Sequence, residues 1–423
     1  VKVAVLAEWY PSPADPVHGV WAHRQALAAV AAGAEVRVLV MRRPVPPLSV
    51  LRRRELSALK HWFTGARADL APWELDGLSV TPVPWLGPPR PLSYGAWGWW
   101  MAPSLRRALS TLRSTWSFDL LHAHNLAPTG QAAAFWTRRT GVPLVLSAHG
   151  PDMTDVPARS GVGRRAVASA LGSAELVLAN SSWANARCIE LGAPEDRVQT
   201  LHLGADLWDS APSPKVGGAP LALVTVAHLQ ARKHHATVLG AIAAMAPQRR
   251  PTYLVIGDGE ERTTLERCAA QLGIAERVTF TGQLAHRQAL ERMAGADVFV
   301  MAGVDEPFGV AFVEAMAAGL PAVGGRGEGG PEDIVAAGEG MLTVRPGDVG
   351  ELAAVLTRLD ADRSELARLG AAARETVATH FTWERCGRAT VGAYERVLTG
   401  LRDRPGRPAR ARPTGAGGAR VQP

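Results

Sequence analysis

Short, almost wholly apolar runs recur along the chain, and most of the stretches between them return to apolar residues at helical spacing. In the first half the runs fall at 3–7, 36–41, 120–123, 144–148, 176–179 and 198–202; a second series occupies 221–227, 253–257, 278–281, 298–302, 321–324 and 341–344. Strands that are apolar on both faces belong in parallel sheets covered by helices on either side. Each series therefore predicts an α/β domain, a Rossmann-like βα-repeat. Between the two, residues 209–219 are rich in Pro, Gly and Ser and lack periodicity, as a linker does. Domains at 1–208 and 220–382 follow, facing each other across a cleft. Residues 383–400 carry one further helical pattern, and the Pro/Gly/Arg tail at 401–423 has a disordered composition.

Composition narrows the class. A chain of 423 residues exceeds what one hydrophobic core serves, in agreement with two domains. With 47% hydrophobic and 20% charged residues and a mean hydropathy of zero, a wholly disordered, collagenous or fibrous chain is excluded. No apolar run reaches membrane-spanning length and the first residues lack a signal-peptide pattern, so a cytoplasmic protein is expected. Cys188, Cys268 and Cys386 are odd in number and far apart, which argues for buried thiols rather than disulfides or a zinc knuckle.

The net charge of +7 is uneven: residues 401–423 carry +5 and residues 41–115 carry +7, leaving −5 for the rest. The tail interleaves no aromatic residue with its arginines, so no nucleic-acid partner is expected. The 41–115 segment also holds Trp62, Trp73, Trp85, Trp97, Trp99 and Trp100. Arg with Trp suits a surface that meets an anionic or glycosidic partner or an anionic membrane, and makes Trp97 and Trp99 candidates for acceptor contact. The alternative packs the Trp residues inside and leaves the Arg residues solvated.

The richest segment for chemistry is 298–334. Between Glu306 and Arg326 its only charge is Glu314, set in an apolar helical stretch where an ionised carboxylate requires a polar partner. Glu306 ends a strand just before Pro307, Phe308 and Gly309, where a helix begins; Gly309 and the amides around Phe308 and Val310 then form an anion-binding helix N-terminus. Two carboxylates so placed suit hydroxyl-rich ligands, although a loop acid and a core acid paired with Arg would give the same pattern. The glycines of 324–330 offer further amides for phosphate. Only four lysines accompany 42 arginines, and Lys233, beside Arg232, follows the strand at 221–227 where a diphosphate would need cations. Gly257-Asp258-Gly259 lacks the third glycine of a dinucleotide fingerprint, which argues against a nicotinamide dehydrogenase.

In the first half, His18 and Gly19 follow the first strand, His122 and His124 close another, and His149 ends the next, near Asp152. No carboxylate or cysteine completes a metal set with these histidines. Asp360 and Asp362 read as a helix cap rather than a metal-binding pair.

Taken in order, Asp119–His124, Ser147–Asp152, Ala179–Ser182, His202–Asp206, Glu306–Gly309 with Glu314–Pro321, and Gly329–Asp333 resemble the nucleotide-sugar glycosyltransferases of family 4, over nearly the whole chain to about residue 400. The segments GEGGPEDI and HGV look most similar to the teichuronic-acid type. The resemblance implies the GT-B fold, with the C-terminal helix crossing back to an N-terminal acceptor domain and the second domain holding the donor. It implies retaining transfer from a nucleoside diphosphate sugar to a hydroxyl of a glycan, lipid-linked or small-molecule acceptor, with no cofactor and no metal. Carried over by position, Glu314 would hold the donor ribose and Glu306 the transferred sugar. Lys233 would stabilise the diphosphate with the amides of Gly19 and of the Phe308–Gly309–Val310 loop. His149 would lie beside the anomeric carbon, and His18 and Asp152 would meet the acceptor. Two departures stand out: His228 replaces the family's usual Arg, which leaves Arg232 to compensate, and Ala302 and Gly303 replace a usual Ser. A sugar-nucleotide 2-epimerase or glycan phosphorylase on the same fold, or a non-catalytic sugar-nucleotide-binding protein, would share much of the pattern.

Overall fold

A computed structural model describes residues 1–45, 70–208 and 219–402, together with Ser57, Lys60 and Thr64. Trp62, all of the expected linker but Ala219, and the tail beyond Arg402 lie outside the described residues. The first sheet comprises β1 (Lys2–Ala7), β2 (Glu35–Arg42), β3 (Trp73–Leu75), β4 (Leu78–Pro84), β5 (Leu120–His124), β6 (Leu144–Ala148), β7 (Leu176–Ala179) and β8 (Val198–Thr200). Their order is β3-β4-β2-β1-β5-β6-β7-β8, with β3–β4 the one antiparallel pair among the described strands. The second sheet runs β11-β10-β9-β12-β13-β14 and is parallel throughout. Its strands are β9 (Ala222–Val226), β10 (Thr252–Ile256), β11 (Val278–Gly282), β12 (Val298–Met301), β13 (Ala322–Gly325) and β14 (Met341–Val344). The twelve apolar runs all became strands; the β3–β4 hairpin, turned at Asp76-Gly77, was not among them.

Strand order reverses between β1 and β5 in one sheet and between β9 and β12 in the other. In parallel sheets the crevice beyond the carboxyl ends at such a switch point is where ligands bind. Residues 8–19 and 122–125 occupy the first crevice mouth, and residues 227–233 and 302–309 the second.

Helix α1 (Val20–Ala31) follows the first mouth, and α2 (Trp97–Thr115) and α3 (Gln131–Thr140) pack on one another. The last helix, Trp383–Arg402, returns to α1. A Cβ on Gly387 would sit 2.1 Å from the Ala28 carbonyl, so glycine permits that approach. Gln25 donates to Thr390, and Tyr394 is buried against His122 of β5. The largest hydrophobic core runs through this contact and joins Tyr10 and α1 to Phe308, Phe381 and Trp383. All three cysteines are free thiols, Cys188 and Cys386 buried and Cys268 half-buried. Asp362 caps the helix Arg363–His380, as its spacing predicts.

Candidate active site

The β9 and β12 loops are strapped together before any side chain is considered. Val304 N–H donates to the Arg232 carbonyl at 2.8 Å, and a Cβ at position 303 would lie 2.4 Å from that same oxygen. Only glycine fits there, which gives the departure at Gly303 a packing reason. The strap brings Lys233 against Glu306 in an ion pair whose side chains are 11% and 12% exposed. At that burial the two charges need each other. Arg232 is committed elsewhere: its guanidinium donates to Gln230 and to the Asp305 carbonyl. His228 is well exposed, with Glu260 at 3.7 Å. Glu328 accepts the Glu306 N–H at 3.0 Å; burial, reinforced by the acids Asp305 and Glu306, raises its carboxyl above the usual range.

Gly309 adopts φ 79° and opens the helix Val310–Ala317 at the crevice. Phe308 turns the other way: its ring is buried against His202 and Phe381, so only its backbone remains for a ligand. Glu314, in the second turn of that helix, receives a 2.7 Å hydrogen bond from His286 Nε2, at the start of the helix His286–Ala294. That bond raises the His286 pKa, against the opposing effect of burial. The polar partner demanded by the apolar setting of Glu314 is thus a histidine, not an Arg.

The glycines of 324–330 do not form a phosphate cradle. Gly325 packs on the Gly303 carbonyl, Gly330 on the Phe308 carbonyl, and Gly324 under Met341, Pro331 and Phe312. Gly330 N–H donates to the Glu306 carbonyl and Gly327 N–H to Glu332. The cluster serves close backbone packing that fixes the Glu306 loop from behind.

Across the crevice, a Cβ on Gly150 would lie 3.1 Å from Pro307. His149 therefore stands beside the Glu306 loop. Its Nε2 meets His124 Nδ1 at 2.9 Å with the two rings stacked, while His122 bonds Ser147 and Tyr394. Burial holds His122 near 3 and His149 near 4, so both rings are neutral at pH 7. His149 Nδ1 and Asn180 Oδ1 are buried atoms without a hydrogen bond among the described residues.

Asp152 does not face an acceptor. It is buried and accepts the N–H groups of Leu126, His149 and Gly150, so its carboxylate is spent on holding the histidine loop. Trp97 is likewise no contact residue: 5% exposed, it packs edge-on against Trp85 and Tyr94 and donates to the Pro88 carbonyl and Ser93. Trp99 is exposed and lines a groove between α2 and α3 with Pro103, Arg106, Phe135 and Arg139. Trp85 is buried with Trp97, so the 41–115 segment divides, part of its Trp inside and part outside.

His18 and Gly19 do lie at the crevice. Gly19, at φ 83°, precedes α1, and a Cβ there would strike the Trp9 backbone at 2.3 Å. His18 stacks on Trp9 and is held to Asp15; burial lowers its pKa, and the charge of His228 on the opposite domain adds to that lowering. Among the described residues no three His, Cys, Asp or Glu groups converge as a metal set, and no helix is long and apolar enough to cross a membrane.

Two family models match the chain, a glycosyl transferase 4-like domain over residues 18–204 and the glycosyl transferases group 1 over 210–376. The 2-deoxystreptamine glucosyltransferase of Streptomyces kanamyceticus is 31% identical over 331 residues, spanning 71% of this chain and 82% of that protein. D-inositol 3-phosphate glycosyltransferase 2 of Catenulispora acidiphila is 33% identical over 317 residues, 67% of this chain and 72% of that protein. Sucrose-phosphate synthase from Thermosynechococcus elongatus superposes with a TM-score of 0.75 at 20% identity, covering 95% of this chain and all of that one. Anabaena HepE in complex with UDP and glucose superposes with a TM-score of 0.68, also at 20% identity, over 93% of this chain and 99% of that one. The two α/β sheets facing each other across the crevice are the GT-B architecture of these structures.

Proposed function

The chain belongs to the group 1 glycosyl transferases, family 4, and from that premise we propose that it moves a sugar, with retention of configuration, from a nucleoside diphosphate sugar to a hydroxyl of a small polyol. The observation that carries this reading is the Lys233–Glu306 ion pair at the second crevice mouth, with the Glu314–His286 pair farther along the same segment. Glu314, oriented by His286, accepts hydrogen bonds from the ribose hydroxyls. Lys233 and the free N–H groups at the start of the helix after Gly309 take up charge on the departing diphosphate. Glu306 orients the transferred sugar, and the neutral His149 presents its unbonded Nδ1 to the same space.

In this reading no bond forms to the protein. The departing phosphate oxygen takes the acceptor proton on the face it leaves, and the protein supplies orientation and charge stabilisation. No metal ion is invoked. The acceptor class follows two relatives whose names carry a cyclitol, 2-deoxystreptamine and D-inositol 3-phosphate.

The test incubates UDP-, GDP- and ADP-sugars with a polyol panel and follows nucleoside diphosphate release and product anomeric configuration by proton NMR. Release only with acceptor present and retained configuration are expected. Release without acceptor would assign an epimerase-type reaction, and nucleotide binding without turnover a binding protein.

A further inference from the structure

One side-chain stack at the first crevice mouth has no part in the donor chemistry. Glu8 and Trp9 follow β1 directly, at the switch point of the first sheet. The Arg90 guanidinium lies over the Trp9 ring at 4.6 Å and over the Tyr94 ring at 4.5 Å, and His18 stacks on Trp9 at 4.2 Å. Among the described residues Arg90 has no carboxylate within ion-pair distance. The nearby acid, Glu8, instead accepts the Tyr94 hydroxyl at 2.8 Å. Arg90 is nonetheless exposed.

The chain around it is stiffened. Arg90 sits in the run Gly87-Pro88-Pro89-Arg90-Pro91, where three prolines fix φ. Arg43 donates twice to the Gly87 carbonyl, at 3.0 and 2.9 Å, and Trp97 donates to the Pro88 carbonyl. A guanidinium that lies over two rings and hydrogen-bonds the Tyr94 hydroxyl on a pinned backbone has lost part of its rotamer freedom in advance, so less is lost when it binds. Packed on the rings yet exposed, it keeps the N–H groups not bonded to Tyr94 for a ligand. Those groups match the paired oxygens of a phosphate or carboxylate. His18, stacked on Trp9, has its pKa lowered chiefly by burial and further by the charges of Arg90, Arg42 and, from the second domain, His228. With two partners already on Trp9, the indole has little face left on which a neutral sugar could stack.

We propose that Arg90, packed over the Trp9 and Tyr94 rings, is the acceptor-specificity residue and that the acceptor polyol carries a phosphate or carboxylate which Arg90 binds. This rests on the glycosyl-transfer reading for the meaning of "acceptor", but the anion site itself does not depend on it. Neutral polyols would then be poor acceptors, and a cationic aminocyclitol a worse one. The group can belong to a free polyol phosphate or to a phosphorylated lipid headgroup.

The test uses the full chain and separates the two claims. Thermal shift with UDP, GDP and ADP comes first; failure to bind any of them would sink the donor reading and leave the anion site standing. Calorimetric titration with D-inositol 3-phosphate, glucose 6-phosphate and glucuronate, each against its neutral parent, follows, with the bound nucleotide saturating so that the donor phosphate site is filled. An anion preference of roughly tenfold or more for at least one pair is expected. Arg90→Gln should abolish that preference while leaving nucleotide affinity and neutral-polyol affinity in place, and Arg90→Lys should restore part of it. A parallel arm measures binding to neutral vesicles with and without phosphatidylinositol; a preference confined to that arm and lost in Arg90→Gln assigns the anion to a lipid. Absence of any anion preference in all arms, or a preference unchanged in Arg90→Gln, overturns the proposal.

Discussion

Replacing Lys233 by Met removes the cation from the β9–β12 strap and leaves the chain around it intact. Lys233 is 9% exposed and its partner carboxylate 12%. Breaking a buried pair by deleting one member typically costs about 3–5 kcal/mol, because the remaining charge stays desolvated and unpaired. Here the remaining charge is worse placed than usual: Asp305 and Glu328 also crowd Glu306, and Glu328 already has its carboxyl pushed up. Some of the cost is recovered when Glu306 or Glu328 takes a proton, so about 3 kcal/mol is expected near pH 7. For a domain of this size that is roughly 6–12 °C in Tm. Glu306→Gln alone should cost less, since a lysine on a flexible stem can swing toward water or Glu328. The double variant Lys233→Met/Glu306→Gln should lie within about 1 kcal/mol of the wild type, because removing both charges also removes both desolvation costs. Scanning calorimetry and urea unfolding on the four proteins of the cycle give the coupling. Additive single effects would refute the coupled pair. Turnover separates stability from catalysis: the double variant should regain stability but not rate, since the charge facing the diphosphate is still missing.

Other outcomes follow from the same geometry. Glu314→Gln should weaken nucleotide binding by about 1–3 kcal/mol with the fold retained; an unchanged dissociation constant by titration calorimetry would remove Glu314 from the ribose site. Glu8 titrates near 7 rather than 4.5, chiefly because it is buried, against the pull of Arg90 and the Tyr94 hydroxyl. The folded state therefore favours its protonated form, so its contribution is complete below pH 4.5 and is lost as pH rises through 7, by about 3 kcal/mol. Glu8→Gln should flatten that part of the stability–pH curve, and a slope identical to wild type would contradict the assignment. With residues 403–423 deleted, co-sedimentation with anionic but not neutral vesicles at low salt is expected, weakened in Trp99→Ala/Trp100→Ala; equal recovery with both vesicle types would rule out a charge-guided membrane face.

What the sequence made legible was whatever depends on the chain's own neighbours. Apolar runs predicted twelve strands to within a residue or two at most ends, because a strand buried on both faces must be apolar throughout. Gly303, Gly309 and Gly387 were harder to read, since a missing Cβ matters only for what approaches it, and the Ala28 carbonyl lies far away in sequence. The glycines of 324–330 show the same limit from the other side: their density offered amides for phosphate, yet Phe308 and Gly303 use that space. The hairpin at Trp73–Pro84 had a local signal, the Asp76-Gly77 turn, hidden among the tryptophans and arginines that drew attention to binding instead.

The partners of the charged groups were the least legible part, and they decide the chemistry. Glu314 sits in a stretch that demands a polar neighbour, but nothing local favours a histidine 28 residues upstream over an arginine. Asp152 looked free to meet an acceptor until three backbone amides claimed it, among them that of Leu126, on another loop. Arg90 looked like one more cation in a basic segment. Its distinction is that the +7 segment buries Trp85 and Trp97 and uses the second of them, with Arg43, to pin the loop that presents it. The packing reading holds for Trp85 and Trp97, and under the proposal above these packed tryptophans are what stiffen the loop that presents Arg90.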